Sequence, residues 1–160
     1  MRYDADLEQL MEKEMPRVSQ EVAKQTRKRI IESAIKIVTL EGSKHLTFSN
    51  IAKKADISRS GINCHFKRKE DLMDEIRPVL AERVEQALDF SSPDNFFQSW
   101  RNAVDNDRMF RNLIANLEYV IDGKTGTASL IEKIQGDKEE VIKTTYMAIG
   151  YAVIHIGNAG

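Results

Sequence analysis

The stretch Thr47–Phe66, TFSNIAKKADISRSGINCHF, decides how this chain is read. A short hydroxyl side chain can accept a hydrogen bond from the orphan amides of a first helical turn. Thr47 therefore suits the N-cap of a helix over about Phe48 to Lys54, and Ser58 that of a second over about Arg59 to Cys64 or His65. Between them, Ala55-Asp56-Ile57 leaves room for a turn and nothing more. Ile51, Ala55, Ile57 and Ile62 fall on the inner side, and small Ala52 lets the two helices cross closely. This spacing predicts a helix-turn-helix, whose second helix enters the major groove of DNA.

The outward residues of that second helix suit the task. Arg59, Ser60, Asn63 and His65 offer donors and acceptors, and Lys67, Arg68 and Lys69 follow at once. Arginine pairs bidentately with guanine and asparagine with adenine. Lysines and helix-start amides hold phosphate instead, which fixes register without reading sequence. Base contacts are thus expected from Arg59, Ser60, Gly61 and Asn63. Gly61 costs roughly 1 kcal/mol against alanine inside a helix. It reads either as close approach of backbone to DNA or as a weakly specified short helix.

Working upstream, Thr26 is a plausible N-cap for a helix to about Leu40, with Ile30, Ile31, Ala34, Ile35 and Val38 as its apolar stripe. Gly42 supplies the stop. Arg27, Lys28 and Arg29 would then sit at the helix start, where the dipole gives cations no help. They point to an external phosphate or to a merely solvated end. Leu7, Met11, Val18 and Val22 have rough helical spacing in residues 1–24, where Pro16 is expected to interrupt any continuous helix.

Downstream, Lys69 to about Phe90 reads as a long helix with Leu72, Ile76, Leu80, Val84 and Leu88 on one side and a bend at Pro78. Ser92-Pro93 is an N-cap followed by a first-turn proline. Phe96, Phe97, Trp100 and Val104 stripe the next helix. Asp105-Asn106-Asp107 restarts the chain into another, lined by Met109, Phe110, Leu113, Ile114, Leu117 and Ile121 and ended by Gly123. A short helix near Ala128 to Gln135 ends at Gly136, and Asp137-x-x-Glu140 resembles a capping box for the last helix. From Tyr146 to Ile156 that helix is apolar nearly all round, which demands burial on more than one side. Ala148, Gly150, Ala152 and Ile156 are the expected contacts with a second copy in a twofold dimer.

Charge agrees with a DNA reader. Residues 17–70 carry 13 Lys/Arg against 5 Asp/Glu, whereas residues 71–160 carry 9 against 15. A basic block beside an acidic remainder is the distribution expected where one part meets phosphate, although a solvated charged surface would look the same. No apolar run approaches the roughly 18 residues a membrane span needs. The acidic start, MRYDADLEQLMEKEMP, lacks the apolar centre of a secretory signal. One cysteine, Cys64, allows neither an intrachain disulfide nor a cysteine-rich zinc site. A soluble protein of the cytoplasm is expected, with no membrane partner.

Ile30 to Leu72 resembles the DNA-binding domain of the tetracycline-repressor (TetR) family of bacterial regulators. The resemblance rests on RIIESAIKIVTLEGSKHLTFSNIAKKADIS followed by CHFKRKEDL, with Gly42, Thr47, Ile51, Ala52, Phe66, Lys69, Glu70 and Leu72 in the family's places. Two positions depart from the pattern. Asp56 stands where the turn usually has glycine, and Asp tolerates the left-handed backbone better than most residues. Asn63 stands where the family usually has a phosphate-touching tyrosine. The resemblance implies phosphate contacts at Thr47, His65 and Lys69, pairing through C-terminal helices, and a small-molecule effector that parts the two readers.

The whole is expected to be all-α. Residues 1–25 form an extension, 26–72 a three-helix DNA-binding domain with its helix-turn-helix, and 73–160 a helical body for dimerisation and effector binding. The expected DNA contacts are Arg27, Lys28, Thr47, Arg59, Ser60, Gly61, Asn63, His65, Lys67 and Lys69. Phe97, Trp100, Phe110, Tyr119 and Tyr146 are candidates to line a site for a small apolar or aromatic effector, although such a stripe also makes plain core. The expected partners are double-stranded DNA and a second copy. The expected function is that of a repressor on a near-palindromic operator, released by an effector. The alternative is a regulator governed by a protein partner, or by nothing. An enzyme fares badly: the chain has no glycine-rich phosphate loop, no His-Glu-x-x-His and no nucleophile elbow. His45, His65 and His155 lack metal-ligand spacing, and no cofactor is expected. Cys64 reads as a small filler, with redox sensitivity as the sharper alternative.

Overall fold

A computed structural model describes the backbone of residues 3–115 and 126–157 and the side chains of residues 19–115 and 130–157. Leu117, Tyr119, Ile121 and Gly123 lie outside the described residues. Among the described residues the secondary structure is helical throughout, as expected for the all-α class.

The first helix, α1 (Tyr3–Leu40), is one element of 38 residues, roughly 57 Å long at 1.5 Å per residue. This corrects two expectations, since Pro16 does not interrupt it and Thr26 lies inside it rather than capping it. Proline removes one backbone bond, and the Glu, Leu, Met, Lys and Gln residues around it are strong helix formers that carry the helix past the gap. The helix closes where Glu41 and Gly42 both donate to the Ile37 carbonyl, at 2.9 and 3.0 Å. Gly42 has φ +95°, a backbone that side chains rarely adopt. A 3-10 turn over Ser43–His45 follows, which the sequence pattern did not reveal.

Next come α2 (Phe48–Ala55), α3 (Arg59–His65) and α4 (Lys69–Gln86). Ile30, Ala34, Ile37 and Val38 of α1 are buried with Ile51 of α2, Ile62 of α3, Phe66, and Leu72 and Ile76 of α4. The α4 helix passes through Pro78 but stops four residues short of the expected Phe90. Ala87 and Leu88 donate to the Val84 and Glu85 carbonyls in a tighter turn, and the Asp89 amide is taken by Ser99 Oγ at 2.9 Å. The expected limits at 25/26 and 72/73 thus fall within the continuous helices α1 and α4.

The body contains α5 (Pro93–Asn106), α6 (Arg108–Ile114), α7 (Gly126–Lys133) and α8 (Lys138–Gly157). Ser92 Oγ accepts from the Asn95 amide and Asp107 Oδ1 from the Phe110 amide, each at 3.1 Å. Asp137 Oδ1 accepts from Glu139 and Glu140, at 3.0 and 3.2 Å. The most extensive packing in the body is between α5 and α8. By contrast α6 lies against α1 and α4, and Asn112 Nδ2 donates to the Thr39 carbonyl at 2.9 Å. One apolar core therefore runs from the helix-turn-helix into the body without a break.

The joint before α8 has its own constraint. Gly136 has φ +139°, and a Cβ added there would lie 2.9 Å from Pro93 Cδ at the start of α5. Gln135 donates to the Phe90 carbonyl at 2.8 Å beside it. Gly136→Ala is expected to cost on the order of 1–3 kcal/mol, read as a lower urea midpoint, because strain and overlap both oppose it.

Candidate nucleic-acid interface

The helix-turn-helix is built as its sequence suggests. Thr47 Oγ1 accepts from the Asn50 amide at 3.1 Å, and Ser58 Oγ accepts from the Gly61 amide at 3.0 Å. Each such cap contributes about 1 kcal/mol. In the turn, Asp56 is the one non-glycine residue with positive φ among the described residues, at φ 54°, ψ 55°. Its amide and that of Ile57 both donate to the Ala52 carbonyl. Asp in this place thus does what glycine does elsewhere.

Arg59, Ser60, Asn63, Cys64 and Lys67 are exposed, while Gly61, His65 and Lys69 are half-buried. Ser60 Oγ lies 3.0 Å from Ser58 Oγ, so part of its bonding capacity goes to the cap. A Cβ on Gly61 would sit 3.3 Å from that same Ser58 Oγ. The tight cap is a local reason for glycine here, independent of DNA.

The basic residues of α1 serve differently from what their order suggested. They lie in mid-helix, and two of them bond to backbone carbonyls of the helix-turn-helix. Arg29 Nη2 donates to the Ala55 carbonyl and, at 3.1 Å, to that of Asp56. Arg27 Nη1 donates to the His65 carbonyl at 3.0 Å, and its Nη2 pairs with Glu75 of α4. The Arg27 guanidinium also lies 4.2 Å from the centre of the Phe66 ring. Lys28 is exposed, 3.8 Å from Glu32.

Ion pairs brace the edges. Lys54 binds Glu41 across the turn between α1 and α2, and the Lys54 hydrogen bond holds the Glu41 carboxyl below its ordinary range. At the start of α4, Asp71 accepts from the Arg68 amide at 3.1 Å and from its guanidinium at 3.0 Å. Those bonds, the guanidinium first, likewise depress the Asp71 carboxyl. An anion in the first turn of a helix also complements the dipole.

The family model for bacterial regulatory proteins of the tetR family matches residues 30–76, the segment that runs from the buried half of α1 into the first half of α4. Similar proteins agree. The uncharacterized HTH-type transcriptional regulator TtgW of Pseudomonas putida is 33% identical over 91 residues, 56% of this chain and 66% of that one. The HTH-type transcriptional regulator SrpR of Pseudomonas putida is 32% identical over 91 residues, 56% of this chain and 41% of that one. AcrR of Shigella flexneri is 36% identical over 62 residues, 39% of this chain and 29% of that one. The chain carries a segment of the TetR family at residues 30–76. Its matches cover less than two thirds of those relatives' own lengths. Within the TetR pattern the segment is a helix-turn-helix DNA-binding domain.

Outside that domain the structure sorts the remaining candidates. Trp100 and Phe110 are core residues whose rings meet edge-on at 5.3 Å. Phe97 packs edge-on against Tyr151, with Arg101 5.3 Å from the Tyr151 ring centre. Tyr146 is 71% exposed, and Tyr119 lies outside the described residues. These five are therefore not brought to one site. Trp100 alone of them lines an apolar recess of about 270 Å³ with Ile114, Ile149, Ala152, Val153 and Ile156. Its Nε1 is buried without an acceptor among the described residues.

The expected dimer residues also divide. Ala148 and Ala152 are buried on the α8 face that packs against α5 of the same chain, so they serve an intrachain contact. Gly150 and Ile156 are half-buried. What α8 leaves uncovered is a stripe of Ile142, Tyr146, Ile149 and Val153, flanked by Met147 and Ile154. His155 stacks on Tyr151 at 3.7 Å and is exposed. Among the described residues no helix is long and apolar enough to cross a membrane, and no cluster of potential ligands could hold a metal ion.

Proposed function

We propose that the chain is a transcriptional repressor that binds a near-palindromic operator as a homodimer and is released by a small apolar effector. The observation that carries the reading is α3, which is capped at its start and exposes Arg59 and Asn63 one helical turn apart, with exposed Lys67 just past its end. Residues 26–72 are the reader, 73–160 the body, and 1–25 an extension. Arg59, Ser60, Gly61 and Asn63 face base edges. Thr47, His65, Lys67, Lys69 and Lys28 meet phosphate, and the protein works on DNA in the bacterial cytoplasm.

The exposed stripe of α8 supports pairing. Val153 is 69% exposed and Tyr146 71%, an arrangement that water does not favour on a helix already packed on its other face. A Cβ on Gly150 would meet nothing within 4 Å, which leaves the backbone open to a second helix. Two copies joined there would carry recognition helices into major grooves about 34 Å apart. The recess beside Trp100 supports an effector. At about 270 Å³ it falls just short of the roughly 300 Å³ where ligand pockets usually begin, so the effector is small. A regulator governed by a protein partner, or by none, remains the second reading.

Three outcomes are expected. Arg59→Ala should weaken a duplex selected by the wild-type chain by about 1–3 kcal/mol and leave random DNA unaffected, whereas Lys67→Ala should weaken both and lower the salt slope by about 1. Equal losses for Arg59→Ala on every sequence would remove its base-reading role. Val153→Asp should leave far-ultraviolet circular dichroism unchanged and convert dimer to monomer in light scattering; a persistent dimer places the interface elsewhere. Finally, Trp100 is the only tryptophan of the chain. A screen of small apolar metabolites should yield one that saturably changes its fluorescence and weakens operator binding, and binding without that weakening favours the second reading.

A further inference from the structure

Helix α3 has little to hold it. It is seven residues long, Ile62 is its single buried residue, and it packs mainly on α2. One apolar anchor leaves a short helix free to roll and tilt. The direction of its exposed face must then be set by polar contacts at its ends. At the N-terminal end stands the Ser58 cap. At the C-terminal end the carbonyl of His65 is taken by Arg27 at 3.0 Å, while Phe66 lies beneath the same guanidinium. The preceding helix ends in the same way, with the Ala55 and Asp56 carbonyls taken by Arg29.

Both arginines stand two residues apart on α1, the helix whose next turn is fully buried at Ile30. Helix C-termini carry unsatisfied carbonyls and partial negative charge, which a guanidinium satisfies with several parallel donors. Glu75 on α4 holds the other arm of Arg27. We propose that Arg27 and Arg29 are positioning residues for DNA reading. They seize the carbonyl ends of both helix-turn-helix members and fix the direction in which Arg59 and Asn63 point, without touching DNA themselves. Arg27 thereby moves from the set of phosphate contacts to the set of supports. This inference rests on the DNA-reading function proposed above.

A phosphate contact and a support have different signatures. Losing a phosphate contact weakens all DNA and lowers the salt slope by about one. Losing a support misdirects the base-reading face, so the selected sequence alone suffers. Lysine separates the two further, since it keeps the charge but cannot reach a carbonyl and a carboxylate with one planar fork.

The test uses the full chain, a duplex that the wild type enriches from a random library, and an equally long duplex of random sequence. Affinities are measured over a salt series and corrected for the active fraction by stoichiometric titration, which removes a purely structural loss. Arg27→Ala and Arg27→Lys are both expected to lose about tenfold or more on the selected duplex. Both should keep the random-duplex affinity and the wild-type salt slope. Arg29→Ala and Glu75→Gln should fall in the same direction, the second by less. Should Arg27→Ala fail to fold, Arg27→Lys and Glu75→Gln carry the test. Wild-type affinity in Arg27→Lys, or a parallel loss on both duplexes with a lower slope, overturns the proposal. A wild-type chain that enriches no sequence at all overturns the DNA-reading function instead, and the support role with it.

Discussion

The buried half of α1 is the constraint on which the rest depends. Ile30, Ala34, Ile37 and Val38 are all but inaccessible to water, and α2, α4 and α6 pack against the helix that carries them. Full burial of one such side chain contributes about 1.5–3 kcal/mol. Ordering the backbone of a seven-residue helix costs about 1–2 kcal/mol per residue, so α3, with Ile62 alone buried, cannot stand without this support. The helix proposed to read DNA is thus poorly able to fold by itself. It borrows its position from a helix that makes most of its contacts elsewhere.

Helix ends are closed by side chains from both near and distant parts of the chain, and the distant ones tie the units together. Asp107 caps the start of α6 through Phe110, and its own amide donates to Ala103 at the end of α5. Arg111 takes the Val104 and Asp105 carbonyls at 2.9 and 3.0 Å. Asn112 reaches from α6 to the Thr39 carbonyl near the end of α1. A side chain of the body therefore bonds directly to the helix that supports the reader. Any shift of α6 would be felt at α1, because the packed core between them leaves no slack.

The last helix divides its apolar surface between two tasks. Val141, Ala148 and Ala152 are spent on α5, where small residues let the helices approach. The larger Tyr146, Ile149 and Val153 remain outside. A helix apolar on all sides thus resolves into a narrow intrachain seam of small residues and a broad stripe of large ones.

Composition and local pattern settled much of this protein before any coordinates. The caps at Thr47, Ser58, Ser92 and Asp137 lie where the sequence placed them, because a cap involves residues only two or three positions apart. The helix-turn-helix itself was legible for the same reason, and the family resemblance marked Asp56 as the left-handed position of its turn. Other features were not local. Arg27 bonds 38 residues away and Asn112 73 residues away, so no window of sequence reveals their partners. The charge of Arg27 was visible, and pointed to an external phosphate or a solvated end where the protein supplies its own carbonyl. The continuity of α1 through Pro16 and Thr26 was also beyond local signals, since each residue is a break or a cap only when its neighbours leave the helix. The sequence by itself determined the helical class, the caps and turn of the helix-turn-helix, and the polar face of its second helix. Only the tertiary structure decided which cations are bonded within the chain and which face of α8 it leaves uncovered, because both depend on contacts between residues far apart in sequence.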